Sequence, residues 1–104
     1  MARFDVYANP TVVERKHTQF FVDVQNAFID ALATRVVIPL RLESMMALRA
    51  RHLNPSFSIG DVRVVLDTDA PAAVPVSALR KPVANLGAVR FEIQEALDTL
   101  LGSF

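Results

Sequence analysis

The chain contains no cysteine, which excludes a disulfide frame, a thiolate zinc site and a cysteine nucleophile and makes a reducing compartment the default. Its three glycines, Gly60, Gly87 and Gly102, stand too far apart to build a glycine-rich phosphate loop. Nucleotide-driven chemistry of that kind is not expected. Nor does the chain carry excess charge, since eleven Lys and Arg balance eleven Asp and Glu. A domain that binds by neutralising nucleic-acid phosphates usually has a basic surplus, so a polyelectrolyte is not expected as the main partner. No apolar run approaches the roughly 18 residues a membrane span needs, and the first ten residues lack the apolar core of a signal peptide. Repeats and low-complexity tracts are also missing. These absences lead to the expectation of a soluble cytoplasmic protein without a membrane partner.

What is present is one domain's worth of chain, 104 residues, of which 52% are hydrophobic. A domain of this size buries only about two thirds of its unfolded surface, so an apolar patch should remain outside, and a homo-oligomer is expected.

The patterning gives short strands followed by a helix. Residues 3–8 alternate Phe4, Val6 and Ala8 with Arg3, Asp5 and Tyr7, as a strand does. A polar loop, residues 9–18, follows. Residues 20–25 put Phe20, Val22 and Val24 on one face and Phe21, Asp23 and Gln25 on the other. The run at residues 35–40 reads as a strand buried on both faces, with Pro39 marking a bulge or an edge. A short helix is possible within residues 42–50. Residues 57–59 and 62–66 form a hairpin across Gly60-Asp61, and residues 74–76 an edge or bulged strand. From Ala88 onward Val89, Ile93, Ala96, Leu97 and Leu100 recur every three or four residues, with Gly102 placed as a C-cap. The expected fold is mainly β with a C-terminal α-helix: a small curved sheet or partly open barrel closed on one side by the helix, residues 1–104 forming a single domain.

Converging catalytic groups are few. His17 and His52 lie in polar loops without a local triad partner. Asp67 and Asp69, two apart, point to one side and could hold a hard cation, but no third ligand is near; a turn before Pro71 is the plainer account. Glu92 and Glu95 share a solvated helix face. Asp23, set among apolar neighbours, needs a partner such as Arg3 or Arg35, or an interface. The terminal Phe104, next to a carboxylate, can anchor a partner through ring area and charge, or fold back onto the domain.

Ordered blocks then resemble the CcdB toxins of toxin-antitoxin systems. They are Arg3-Phe4-Asp5-Val6-Tyr7, Phe21-Val22-Asp23-Val24-Gln25 with Phe28-Ile29-Asp30, Val37-Ile38-Pro39-Leu40, Ile59-Gly60-Asp61, Val74-Pro75-Val76-Ser77 and the amphipathic end. The resemblance implies an SH3-like barrel of the CcdB/MazF type, a homodimer, and a toxin that is not an enzyme and needs no cofactor. Such toxins bind the A subunit of DNA gyrase and trap its cleaved DNA complex. A CcdA-like antitoxin neutralises them, and the pair together binds operator DNA as a repressor. Carried over by position, the gyrase-facing residues are Arg3, Phe4, Asn26, Phe28, Asp98, Leu101, Gly102, Ser103 and Phe104. The departure is at the tip: well-known members end in Trp-Gly-Ile where this chain has Gly102-Ser103-Phe104.

The N-terminal half carries seven Lys and Arg against five Asp and Glu over residues 1–52, and the second half four against six. Arg15 and Lys16 are thereby placed to meet an acidic antitoxin tail. Two alternatives accompany this reading: a MazF-like ribonuclease using Arg15, Lys16, His17 and Thr18, and a relative that binds antitoxin without poisoning gyrase.

Overall fold

A computed structural model describes residues 2–26, 31–46, 49–50 and 52–102. The β-branched run Val36-Val37-Ile38 lies in the longest strand among the described residues, β3 (Thr34–Leu42). Before it come β1 (Asp5–Ala8) and β2 (Thr18–Asp23). After it come β4 (Ser56–Ile59), β5 (Val62–Leu66), β6 (Ala72–Pro75), β7 (Ala84–Asn85) and the helix α1 (Arg90–Leu101). All pairings are antiparallel, in the order β4-β5-β3-β2-β1-β7, with β6 also on β3. The result is a mainly β, nearly closed antiparallel barrel with a C-terminal helix, as the sequence led us to expect.

β3 serves two neighbours along one edge. Residues 34–37 pair with β6, and residues 40–42 pair with β5. Pro39 sits at the changeover, where its carbonyl accepts from the Asp67 N–H at 2.9 Å. A strand residue's N–H and C=O point to the same side, so the donor that proline lacks is missing where no ladder partner stands. The bulge or edge expected at Pro39 is therefore a change of partner. The bulge itself lies across the sheet in β2, between Thr18 and Phe20.

The alternation expected for residues 20–25 holds. Val6, Val22 and Ile38 stand opposite one another across three strands, all fully buried in the main core. On the opposite face Tyr7, Val37 and Leu79 form a second cluster, against which Phe21 and Val74 pack. The helix covers the main core with Ile93 and Ala96, both fully buried, and Leu97 beside them. Leu100 is 37% exposed and Leu101 71%, so the last turn leaves the sheet and projects its apolar residues outward.

Asp23 resolves as an ion pair with Arg35, Nε to Oδ2 2.8 Å, with both side chains buried. Of the two partners considered for it, Arg35 is the one taken. The hairpin turns at Gly60, which holds a left-handed φ of 59°.

Several boundaries moved. The first strand begins at Asp5 rather than residue 3, because Phe4 holds φ 71°, a left-handed conformation that ends a strand. The polar loop at residues 9–18 contains a 3-10 turn, Val12–Lys16. The helix considered within residues 42–50 reduces to a 3-10 turn, Glu43–Met45; residues 47–48 lie outside the described part. The two-residue β7 was not anticipated: too short for any pattern, it exists because β1 offers it an edge, Val6 to Ala84 and Asp5 to Asn85. No helix is long and apolar enough to cross a membrane among the described residues.

Candidate functional site

Two surfaces gather the residues singled out from sequence. The first lies where β1 begins and α1 ends. Arg3 is fixed from two sides: its Nε donates to the Val24 carbonyl at 3.1 Å, and its Nη2 donates to Gln94 Oε1 at 3.2 Å. Gln94 in turn donates from Nε2 to Asp98 Oδ1 at 3.0 Å. Arg3 and Asp98, 95 positions apart in sequence, thus belong to one polar chain with Gln94 as its link. No direct ion pair joins Arg3 to Asp98 among the described residues, and both are half-buried.

Phe4 is placed differently from a contact residue. It is 7% exposed and belongs to the main core, with the Arg3 guanidinium over its ring at 4.8 Å. Its left-handed backbone is held by N–H donation to the Asp23 carbonyl at 2.6 Å and by acceptance from the Leu86 N–H at 2.9 Å. Strain of this kind costs on the order of 1–3 kcal/mol and is kept where the surroundings over-determine it. Here it aims Arg3 across the barrel end.

Helix residues 91, 94, 98 and 101 fall at spacings of three and four and so share one stripe. Phe91, which the sequence reading passed over, is 75% exposed and lies under the Arg90 guanidinium at 4.8 Å. Arg3, Phe4, Arg90, Phe91 and Gln94 line a shallow cavity of about 120 Å³. The missed signal was present: Phe91 breaks the polar face of the helix with a large aromatic at the position one turn before Gln94. Leu101 ends the stripe and Gly102 caps the helix at φ 69°, donating its N–H to the Asp98 carbonyl at 2.9 Å. Asn26 is exposed just after β2. Phe28, Ser103 and Phe104 lie outside the described residues.

The second surface is the turn at Val12–Lys16. Val12 and Val13 are 69% and 73% exposed, with Lys16 exposed beside them. Asn9, fully buried, organises the turn: Nδ2 donates to the Thr18 carbonyl at 3.0 Å and to Glu14 Oε1 at 3.2 Å, and Oδ1 accepts from the Thr11 N–H at 2.9 Å. Arg15 and Lys16 are brought together here, and neither lines the helix-end cavity.

The remaining candidates are accounted for structurally. His52 Nδ1 lies 2.9 Å from Glu95 Oε1 on the exposed helix flank. His17 Nδ1 lies 3.0 Å from Thr18 Oγ1. Asp67 faces Arg41 at 3.4 Å, and burial, then the hydrogen bond with Asp69, raise its carboxyl above the ordinary range while Arg41 opposes them. No group of three or more His, Cys, Asp or Glu arranged to hold a metal occurs among the described residues.

The barrel and the terminal helix define the class of fold: a mainly β, nearly closed antiparallel barrel with a C-terminal helix. A solved structure described as an endoribonuclease in complex with its cognate antitoxin from mycobacterial species has a similar fold: TM-score 0.75 at 18% identity, covering 98% of this chain and 95% of that one. The family model described as "CcdB protein" matches residues 3–102. The chain belongs to the CcdB family, toxins of toxin-antitoxin systems.

Proposed function

We propose that this toxin binds the A subunit of DNA gyrase as a homodimer and traps the cleaved DNA complex. In this reading it is a binding protein, not an enzyme, acts inside the cytoplasm and requires no cofactor. The observation that carries it is the stripe Phe91-Gln94-Asp98-Leu101 beside Arg3: exposed apolar groups flanked by fixed polar ones, the composition of an interface hot spot. By family resemblance the paired helix ends enter the gyrase A dimer, with Asn26, Phe28 and the tip Gly102-Ser103-Phe104 contributing. Arg15 and Lys16 receive the acidic tail of a CcdA-like antitoxin, and the toxin-antitoxin complex represses its operator. The test is a cleavage assay with purified gyrase and supercoiled plasmid: linear product after denaturation is expected, and none at saturating toxin would overturn the proposal.

The fold shared with an endoribonuclease supports a second reading, RNA cleavage by Arg15, Lys16, His17 and Thr18. Against it stands the burial of Thr18, 6% exposed, which withholds its hydroxyl from a strand. Degradation of synthetic RNA without gyrase would favour it. Antitoxin binding with neither activity would mark a non-poisoning relative.

A further inference from the structure

The turn that carries Arg15 forms one wall of a cleft of about 360 Å³ whose other wall is the 3-10 turn Val76–Ala78 and the residues after it. Arg15, Arg80 and Lys81 line it with Ser77, and Pro10 and Val12 provide an apolar side. The chain's overall neutrality conceals this local cluster. Among the described residues, none of the three cations forms an ion pair and no carboxylate lines the cleft. The nearest candidate in sequence, Glu14, is held by Asn9 Nδ2.

Both walls are anchored from beneath. Arg15 donates its Nε to the Asn9 carbonyl at 2.7 Å, which fixes the guanidinium and leaves its two terminal nitrogens for a ligand. On the other wall Leu79 is 7% exposed and packs with Tyr7 and Val37, so Arg80 and Lys81 emerge from a pinned residue. Like charges gathered without a counter-ion repel, and a bound anion removes that cost.

We infer that this cleft binds a phosphate group borne by a nucleoside. Three cations exceed what one carboxylate of charge −1 neutralises, whereas a phosphate monoester carries about −1.5 to −2. The guanidinium fork matches phosphate oxygens in pairs, an ammonium adds a point charge and the Ser77 hydroxyl a further donor. Pro10 and Val12 give a sugar or base an apolar wall. The phosphate can come from a free nucleotide or from the phosphorylated 5′ end of a strand, both monoesters, and the cleft shares no residue with the helix-end cavity.

The experiment is an amide chemical-shift titration of the full chain with inorganic phosphate, uridine, uridine 5′-monophosphate and a short 5′-phosphorylated single-stranded oligoribonucleotide. Shifts at residues 9, 11–15 and 77–81 are expected with the phosphate-bearing probes and not with uridine. Tighter binding of the mononucleotide assigns a free nucleotide, and tighter binding of the oligomer a strand. Arg80→Ala with Lys81→Ala, both exposed positions, should keep the fold and weaken binding by roughly tenfold or more. An unchanged affinity in that variant, or no shift at these residues with millimolar mononucleotide, overturns the inference. So does a polyglutamate peptide that binds the same residues more tightly than either nucleotide probe. Arg15 also serves the antitoxin reading, so the 80/81 variant separates the two: it weakens phosphate binding while binding of a CcdA-like antitoxin persists.

Discussion

Arg35 and Asp23 form an ion pair at 2.8 Å in which the guanidinium is 1% exposed and the carboxylate 0%. Asp23 Oδ1 is further satisfied by the Gln25 N–H at 3.0 Å, while both terminal nitrogens of Arg35 are buried without a hydrogen-bond partner among the described residues. The pair joins β2 to β3 beneath the second cluster, and such a pair is costly to break from one side. Asp23→Ala should destabilise the fold by about 3–5 kcal/mol, because it strands a buried cation. Asp23→Leu combined with Arg35→Met should recover much of that loss in urea unfolding. A double variant as unstable as Asp23→Ala would show that the pair contributes more than charge compensation.

Tyr7 is the only tyrosine of the chain, and it is 1% exposed. Burial first, then the charges of Asp5 and Asp23, raise its hydroxyl above the ordinary value of 10.0, with Arg35 opposing. A folded-state pKa above the unfolded one gives stability that is complete below pH 10 and is lost as pH rises through the folded value. Tyrosinate absorbance should therefore appear at higher pH in the folded protein than in urea. Tyr7→Phe should narrow the fall in melting temperature above pH 10, and identical titrations in the two states would contradict the assigned burial.

Much of this architecture is legible in the chain itself, for identifiable reasons. The alternation at residues 20–25 and the three-four spacing from Val89 survive folding because one face of each element is buried, and the Gly60-Asp61 turn is local chemistry. The partner of Asp23 could be narrowed to two arginines by the cost of burying a lone carboxylate. Other features depend on distant chain. β7 is a strand only because β1 has an open edge, Phe4 turns left-handed between Asp23 and Leu86, and Pro39 marks where β5 and β6 share β3. At the helix end the resemblance named Asp98 and Leu101 as expectations, whereas the link of Gln94 between Arg3 and Asp98 and the exposure of Phe91 required the fold. The cationic cleft joins residues more than sixty positions apart and left no pattern in sequence.

Phe91 tests the helix-end surface. With its side chain 75% exposed, Phe91→Ala should leave unfolding within about 0.5 kcal/mol of the parent. Its affinity for the gyrase A subunit should nevertheless fall by roughly tenfold or more, as expected when an aromatic anchor is removed. Binding measured by calorimetry and melting measured in parallel separate the two effects. Unchanged affinity would remove Phe91 from the interface.

Gly102 sets the direction in which the chain leaves α1. A β-carbon there would meet nothing within 4 Å, so the cost of Gly102→Ala is that of the left-handed backbone alone, roughly 1–2 kcal/mol. Fraying of the last turn should follow, reducing gyrase binding together with helicity. Gly102→Asn, better tolerated in that conformation, should restore both in part. Equal behaviour of the alanine and asparagine variants would show that the left-handed backbone at residue 102 does not govern the tip.

Arg15 and Lys16 differ in how they are held, and this separates their effects on an acidic partner. Arg15 is pinned to Asn9, so its charge has one position and loses little entropy on binding; exposed Lys16 contributes mainly long-range attraction. Lys16→Glu should slow association with an acidic antitoxin segment and should flatten its salt dependence, leaving dissociation nearly unchanged. Arg15→Glu should also speed dissociation, because it removes a positioned donor from the interface. Surface plasmon resonance at two ionic strengths reads both rates, and loss confined to association in both variants would show that Arg15 makes no direct contact.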